Sequence, residues 1–235
     1  MTLLRLLLAT TLVTNLGLST ISHSADSFNI LLYHHISSTA PRSTSLSAEE
    51  FEGHLQYLKD NEYHVVALGD ALKAVQTAQP LPSKSVVITF DDAWRDIYEQ
   101  GLPLLKKYDY PFTVFVNTDP VDQNNRHAMT WDMLRDLKHH KGSLANHTRD
   151  HAYLVRKPEY DDVWLSATLA NIEHAQQRLE QELGHTPKWL AYPFGEYNNV
   201  LKQALKERGY TAFGQQSGGV AAFSDWQALP RFPAA

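Results

Sequence analysis

The stretch Ser85-Val86-Val87-Ile88-Thr89-Phe90-Asp91-Asp92-Ala93-Trp94 constrains the fold more than any other. A β-branched, apolar run of strand character ends abruptly in two adjacent carboxylates, and helical sequence, Arg95 to Lys107, follows at once. Successive strand residues face opposite ways, so Asp91 and Asp92 are expected to point in different directions and to do different jobs. In parallel α/β folds function gathers at the carboxyl ends of strands, where this pair falls. Taken alone, the stretch equally suits a strand end whose aspartate caps the next helix.

The flanking sequence repeats the same grammar. Asn29 to His34 reads as a first buried strand with a polar end, Tyr33-His34-His35. Ser47 with Glu50 three residues on is a capping-box signature, and Phe51, Leu55 and Leu58 continue it as a helical stripe. A short strand is predicted over His64 to Leu68, a helix over Gly69 to Thr77, a strand over Pro111 to Asn117 and a helix over Trp131 to His140. The longest helix is predicted from Tyr160 to Leu183, with Gly184 as its C-terminal cap. Lys188 to Tyr192, Asn198 to Arg208 and Tyr210 to Phe213 complete a strand–helix alternation that predicts one parallel, barrel-like α/β domain.

Composition narrows the function classes. A chain of 235 residues carries enough apolar sequence for one large core. Its formal charge of −5, with no basic block, gives no nucleic-acid footprint. The absence of cysteine excludes disulfides and thiolate zinc sites. Met1 to Arg5 is a short basic start, Leu6 to Leu18 a mostly apolar run, and Ser22-His23-Ser24 offers small residues before Ala25. This reads as a secretory signal peptide over residues 1–24, too short for a stable membrane span, with an uncleaved anchor as the rival. The expected location is therefore periplasmic or extracellular, with the folded domain covering residues 25–235.

Two further stretches carry chemistry. In His147-Thr148-Arg149-Asp150-His151 the four-residue separation predicts two imidazoles on one side of a helical turn. With a carboxylate from the central strand they make a two-histidine, one-carboxylate ligand set that leaves a position open for water. Chance is a real competitor, because the chain has 12 histidines. Leu190-Ala191-Tyr192-Pro193-Phe194-Gly195 is a strand that breaks into a Pro-aromatic-Gly turn, which alone is ordinary.

Taken in order, Thr89-Phe90-Asp91-Asp92, His147-Thr148-x-x-His151 and Tyr192-Pro193-Phe194-Gly195 resemble the motifs of the polysaccharide deacetylases, the family-4 carbohydrate esterases. The resemblance runs from about Asn29 onward. It implies a distorted (β/α)7-type barrel in a single domain, and metal-dependent release of acetate from an N-acetylated polysaccharide. It implies Asp92, His147 and His151 as metal ligands, Asp91 as general base and the Phe194 backbone N–H as oxyanion donor. Zinc suits that ligand set, and nickel, cobalt and iron tolerate it. Tyr33-His34-His35-Ile36 resembles the first-strand motif of exported poly-β-1,6-N-acetylglucosamine deacetylases, which makes His34 a candidate site residue. Other substrates within the family are peptidoglycan, chitin oligomers and acetylated xylan. A catalytically impaired carbohydrate-binding protein on the same fold is the alternative from another class, and the retained Asp91 argues against it.

The chain departs from the family's pattern at three places. Ala93 stands where many members have Gly, and Ala191 where many have Arg. Arg231, in the late strand predicted from Leu229-Pro230-Arg231-Phe232, is the candidate to replace that arginine. Asp225-Trp226 loosely resembles the family's Asp-Trp element, but no Leu-x-His motif follows before Ala235. The expectation is either that the natural protein continues beyond Ala235, or that His34 takes over as general acid. Trp94 and Trp164 are expected to serve packing, Trp131 to pack or to floor a sugar site, and His54, His174 and His185 to be solvated.

Overall fold

The computed structural model describes residues 24–155 and 162–234. The expected signal peptide lies outside them except for Ser24, which with Ala25 pairs antiparallel to Leu81–Pro82. Among the described residues, six parallel strands make the body of a nine-stranded sheet, β1 (Ser27–Tyr33), β2 (Ser85–Phe90), β3 (Phe112–Val116), β4 (Gly142–Asn146), β5 (Trp189–Ala191) and β6 (Thr211–Phe213), and the short strand His64–Val65 pairs parallel with the start of β2. The six lie side by side in the order β6-β5-β4-β3-β2-β1. The late segment predicted as a strand then spans the gap between the two edges. Leu229 bridges to Phe213 of β6, while Phe232 and Pro233 pair with Leu31 and Leu32 of β1, all parallel. The sheet is thereby curled into a distorted barrel, with Val220–Ala221 antiparallel to the start of β1.

The helices follow the strands as the alternation requires: α1 (Ala48–Asp60), α2 (Leu68–Gln76), α3 (Leu102–Tyr108), α4 (Trp131–Leu137), α5 (Asp162–Leu183) and α6 (Asn199–Glu207). The capping box at α1 forms in both directions, Glu50 N to Ser47 Oγ at 3.1 Å and Ser47 N to Glu50 Oε2 at 2.8 Å. Gly184 closes α5 at φ +76°, a conformation that costs glycine little. Tyr160, the predicted start of that helix, lies outside the described residues. The predicted helix over Arg95 to Lys107 is corrected in its first half, where Ile97–Gly101 is a π-helical turn. Pro103 sits just beyond it and has no N–H to continue a regular ladder backward.

Strand alternation sorts the core into two layers. Val86, Ile88 and Phe90 of β2 face outward and meet Phe51 and Leu55 of α1, Leu102 and Leu105 of α3 and Leu134 of α4. Val87 faces inward with Phe28 and Ile30 of β1, Phe115 of β3, Ala145 of β4, Ala191 of β5, Phe213 of β6 and Leu229. All six residues of β2 are buried, and each large apolar one contributes about 1.5–3 kcal/mol relative to exposure. Continuing the inward parity by two or four residues leads to His34, Asp91, His147 and Arg231. The barrel's apolar interior thus ends, at the carboxyl ends of its strands, in a layer of titratable side chains.

Candidate active site

Asp91 and Arg231 form the buried centre of this layer. Arg231 donates from Nη1 to Oδ1 at 2.7 Å and from Nη2 to Oδ2 at 2.8 Å, and neither side chain reaches solvent. The rest of the guanidinium is also satisfied, with Nε donating to Gly214 O at 2.9 Å and Cζ 5.2 Å from the Phe115 ring centre. Burial pushes the Asp91 carboxyl up. The Arg231 charge, with His147, the Arg231 hydrogen bonds and His34, outweighs that push and holds the group below the usual carboxylate range. The candidate drawn from the late strand therefore does reach the carboxylate, in the absence of an arginine at 191. Ala191 also faces inward, and its small side chain leaves the interior to an arginine entering from the closing strand.

Asp92 leaves the strand in the left-handed region at φ +72°, followed by Ala93 at φ +53°. That reversal turns its carboxylate away from Asp91 and toward two imidazoles, with Oδ1 3.3 Å from His147 Nε2 and 3.4 Å from His151 Nε2. Among the described residues, Asp92, His147 and His151 are the trio whose ligand-type atoms all lie within 4.8 Å of one another. The left-handed turn at 93 is the position where glycine is the easy choice, and alanine adopts it here at some strain.

The two histidines do not sit on a helical turn as the spacing predicts. His147 follows β4 directly, and the residues to His151 form a loop with Thr148 at φ +71° and His151 at φ +56°. Side chains of the loop and its neighbours hold it in place of a helical ladder. Asn146 Oδ1 accepts from Thr148 N at 2.7 Å, Thr148 Oγ1 accepts from His151 N at 3.2 Å, and Asn117 Nδ2 donates to His147 O.

The trio fits a divalent cation by the chemistry of its donors. His147 Nδ1 lies 2.8 Å from Ala191 O, and a carbonyl only accepts, so the proton sits on Nδ1 and the Nε2 lone pair faces Asp92 and His151. Burial raises the Asp92 carboxyl, but the hydrogen bond and charge of His147, with His151 and His34, bring it well below the usual range. Burial lowers His147, and Asp91 and Asp92 more than reverse this, so its pKa is raised. His151 is lowered, by burial first and then by the charge of His147. Two carboxylates and two imidazoles thus converge where a proton and a metal ion would compete for the same lone pairs.

His34 joins the layer from the end of β1. Its Nδ1 is buried and without a hydrogen-bond partner. Burial, opposed by Asp91 and Asp92 and aided by His147 and Arg231, lowers its pKa. Phe194 follows β5 at φ +59° within the turn Pro193–Gly195. Its ring lies 4.4 Å from the His151 ring and stacks on Tyr153 at 3.9 Å, with 42% of the residue exposed.

Sequence reasoning missed Trp94. It does more than pack: Nε1 donates to Asp92 Oδ2 at 3.0 Å, and the ring stacks on His35 at 4.4 Å. Its position two residues after a candidate ligand was the available signal. His54 is likewise partly buried, not solvated, with Nδ1 3.2 Å from Tyr33 Oη. Trp131 packs against the outer core layer, bonded to Asp122 and stacked under Arg178, whereas Trp164 is buried among apolar side chains as expected. A groove of about 820 Å³ opens beside the site, with Trp94 in its wall together with His35, Ser37, Arg95, Asp96 and Arg126.

A curled parallel barrel that carries a carboxylate–imidazole trio and a clamped second carboxylate at its strand ends defines the class of the molecule. Residues 78–213 match the family model described as polysaccharide deacetylase, more than half of the chain, and the chain belongs to that family. Among its relatives, a Bacillus subtilis protein, YxkH, is 29% identical over 182 residues, covering 77% of this chain and 61% of its own length. The poly-β-1,6-N-acetyl-D-glucosamine N-deacetylase of Staphylococcus aureus is 28% identical over 191 residues, covering 79% and 66% respectively. The solved structure of the Streptococcus pyogenes deacetylase PplD, in complex with acetate, superposes with a TM-score of 0.79 at 25% identity, over 90% of this chain and 93% of that one. The alignments thus span just under two thirds of the curated relatives' length.

Proposed function

We propose that this protein removes N-acetyl groups from an N-acetylated polysaccharide by metal-assisted hydrolysis, releasing acetate and leaving a free amine on the sugar. The observation that carries the reading is an ionised, arginine-clamped carboxylate, Asp91, directly beside the Asp92, His147 and His151 trio. Pure binding has no use for a base in that place.

In this reading Asp92, His147 and His151 hold one divalent ion, zinc by preference, with nickel, cobalt or iron as substitutes. Such an ion supplies Lewis-acid polarisation of the acetyl carbonyl and acidifies the attacking water. Asp91 accepts the water proton at a carboxylate oxygen, which retains a lone pair after accepting one bond from Arg231. Arg231 keeps that carboxylate ionised and fixes its plane. The Phe194 N–H donates to the oxygen that becomes negative when water adds to the carbonyl carbon. The carbon–nitrogen bond then breaks, and the departing amine takes up the proton that Asp91 received from the water. His34, whose buried Nδ1 has no hydrogen-bond partner, is the second candidate for that proton transfer.

The substrate we favour is poly-β-1,6-N-acetylglucosamine. The Tyr33-His34-His35-Ile36 motif and the Staphylococcus aureus relative support it, and the groove beside Trp94 gives a polymer room to extend. Among the described residues no helix is long and apolar enough to cross a membrane. Export to the periplasm or cell exterior is part of the proposal and rests on the N-terminal sequence. The test is acetate release from poly-β-1,6-N-acetylglucosamine, chitin oligomers, peptidoglycan and acetylated xylan, with and without a chelator. Release from the first substrate that stops on chelation and returns with zinc is expected. No release from any of the four by zinc-loaded protein would overturn the reading.

A further inference from the structure

We propose that Trp94 is a positioning residue that fixes which oxygen of Asp92 is presented to the metal, and that His35 and Asp96 hold Trp94 in place to do so. The inference rests on reading Asp92, His147 and His151 as a metal site. A carboxylate turns easily about its last bond, and that torsion has broad wells. Asp92 is also followed by a second left-handed residue, so a regular ladder does not hold the turn it sits on. Something outside the backbone must set the plane of the group. The Trp94 indole N–H does this directly, donating to Oδ2 at 3.0 Å and leaving Oδ1 to face His147 and His151.

The indole is itself braced. Its ring lies on the His35 imidazole with centres 4.4 Å apart and planes 23° from parallel. His35 Nδ1 is 2.7 Å from Asp96 Oδ2, and the other oxygen of Asp96 accepts from Ile36 N at 3.0 Å. The backbone around the turn is tied down too, by Met129 N to Ala93 O at 2.9 Å and Arg95 N to His127 O at 2.7 Å. A continuous set of contacts thus runs from the backbone after β1 through Asp96, His35 and Trp94 to one oxygen of a candidate ligand. Partners of metal ligands that orient them typically matter about 10–100-fold in metal affinity.

The test is zinc affinity of the full chain, measured by competition with a chromophoric chelator, alongside the change in tryptophan emission when zinc is added. Trp94→Phe keeps a ring over His35 and deletes the N–H. It should bind zinc about 10–100-fold more weakly and lose the part of the emission change that Trp94 carries. His35→Phe and Asp96→Asn keep the indole but loosen its brace, and should weaken zinc severalfold. Zinc binding by Trp94→Phe within twofold of the parent overturns the proposal while leaving the metal site standing. Failure of the parent itself to bind zinc overturns both. Should Trp94→Phe not fold, the other two variants decide, and parental affinity in both of them overturns the proposal.

Discussion

Arg231 meets Asp91 across 140 residues of sequence, and the two groups form a bidentate pair with no solvent access. Removing one partner strands the other charge in the interior, which costs about 3–5 kcal/mol. Arg231→Gln should therefore lower the thermal midpoint by many degrees, as read by calorimetry. Arg231→Lys keeps the charge but loses the planar fork, and should fold with a lower rate of acetate release. Losing the full charge also lets the Asp91 pKa rise. The acid limb of kcat/KM in any folded Arg231→Gln protein should then move to higher pH. An unchanged rate in Arg231→Lys would remove the guanidinium fork from the site's machinery.

Ligand and base should separate cleanly by variant. Purified protein is expected to carry about one equivalent of metal. His147→Ala should lose most of it, because it deletes the one imidazole whose tautomer is fixed by the Ala191 carbonyl. Asp91→Asn should keep the metal and lose turnover. Elemental analysis and acetate release on the same samples check both. Full activity in Asp91→Asn would show that another group takes the water proton.

The Phe194 side chain and its backbone N–H are separable as well. The exposed ring touches His151 and Tyr153, and an aromatic contact of this kind contributes about 0.5–1.5 kcal/mol. Phe194→Ala retains the N–H but removes the ring's support of His151, and should lower kcat/KM roughly two- to tenfold, in line with that energy. A large fall in kcat at constant KM would mean that the ring positions His151 for the chemical step.

A pH effect is expected outside the Asp92, His147 and His151 trio, at the start of α1. The hydrogen bonds from Arg42, then that from the Ser47 backbone, bring the Glu50 carboxyl from 4.5 down to about 2. A depressed carboxyl stabilises the fold above its unfolded value, and the contribution fades as pH falls through its folded one. The loss of thermal midpoint in Glu50→Ala should be full near neutrality and shrink between pH 4.5 and about 2. A difference that stays constant down to pH 2 would show that the charge on Glu50 contributes nothing.

Much of this was written locally. The run from Ser85 to Phe90 declares a buried strand, and its period of two already separates Asp91 from Asp92 and sends them different ways. Ser47 with Glu50, and Gly184, mark helix ends because capping depends only on neighbours in sequence. The residue types at His147 and His151 were legible for the same reason, and so was Arg231 as a candidate. What the sequence could not decide is where these groups meet. His147 and His151 converge through a loop held by Asn117, Asn146 and Thr148, and side-chain hydrogen bonds of that kind leave no periodicity to read. Trp94 became part of the site only when two left-handed residues turned Asp92 under its indole. Arg231 reached Asp91 only because the closing strand lies between β6 and β1, with Leu229 on one edge and Phe232 on the other. Period, caps and donor types belong to short stretches of chain. The meeting of a carboxylate at 91 with a guanidinium at 231 belongs to the closure of the sheet, which depends on the whole barrel.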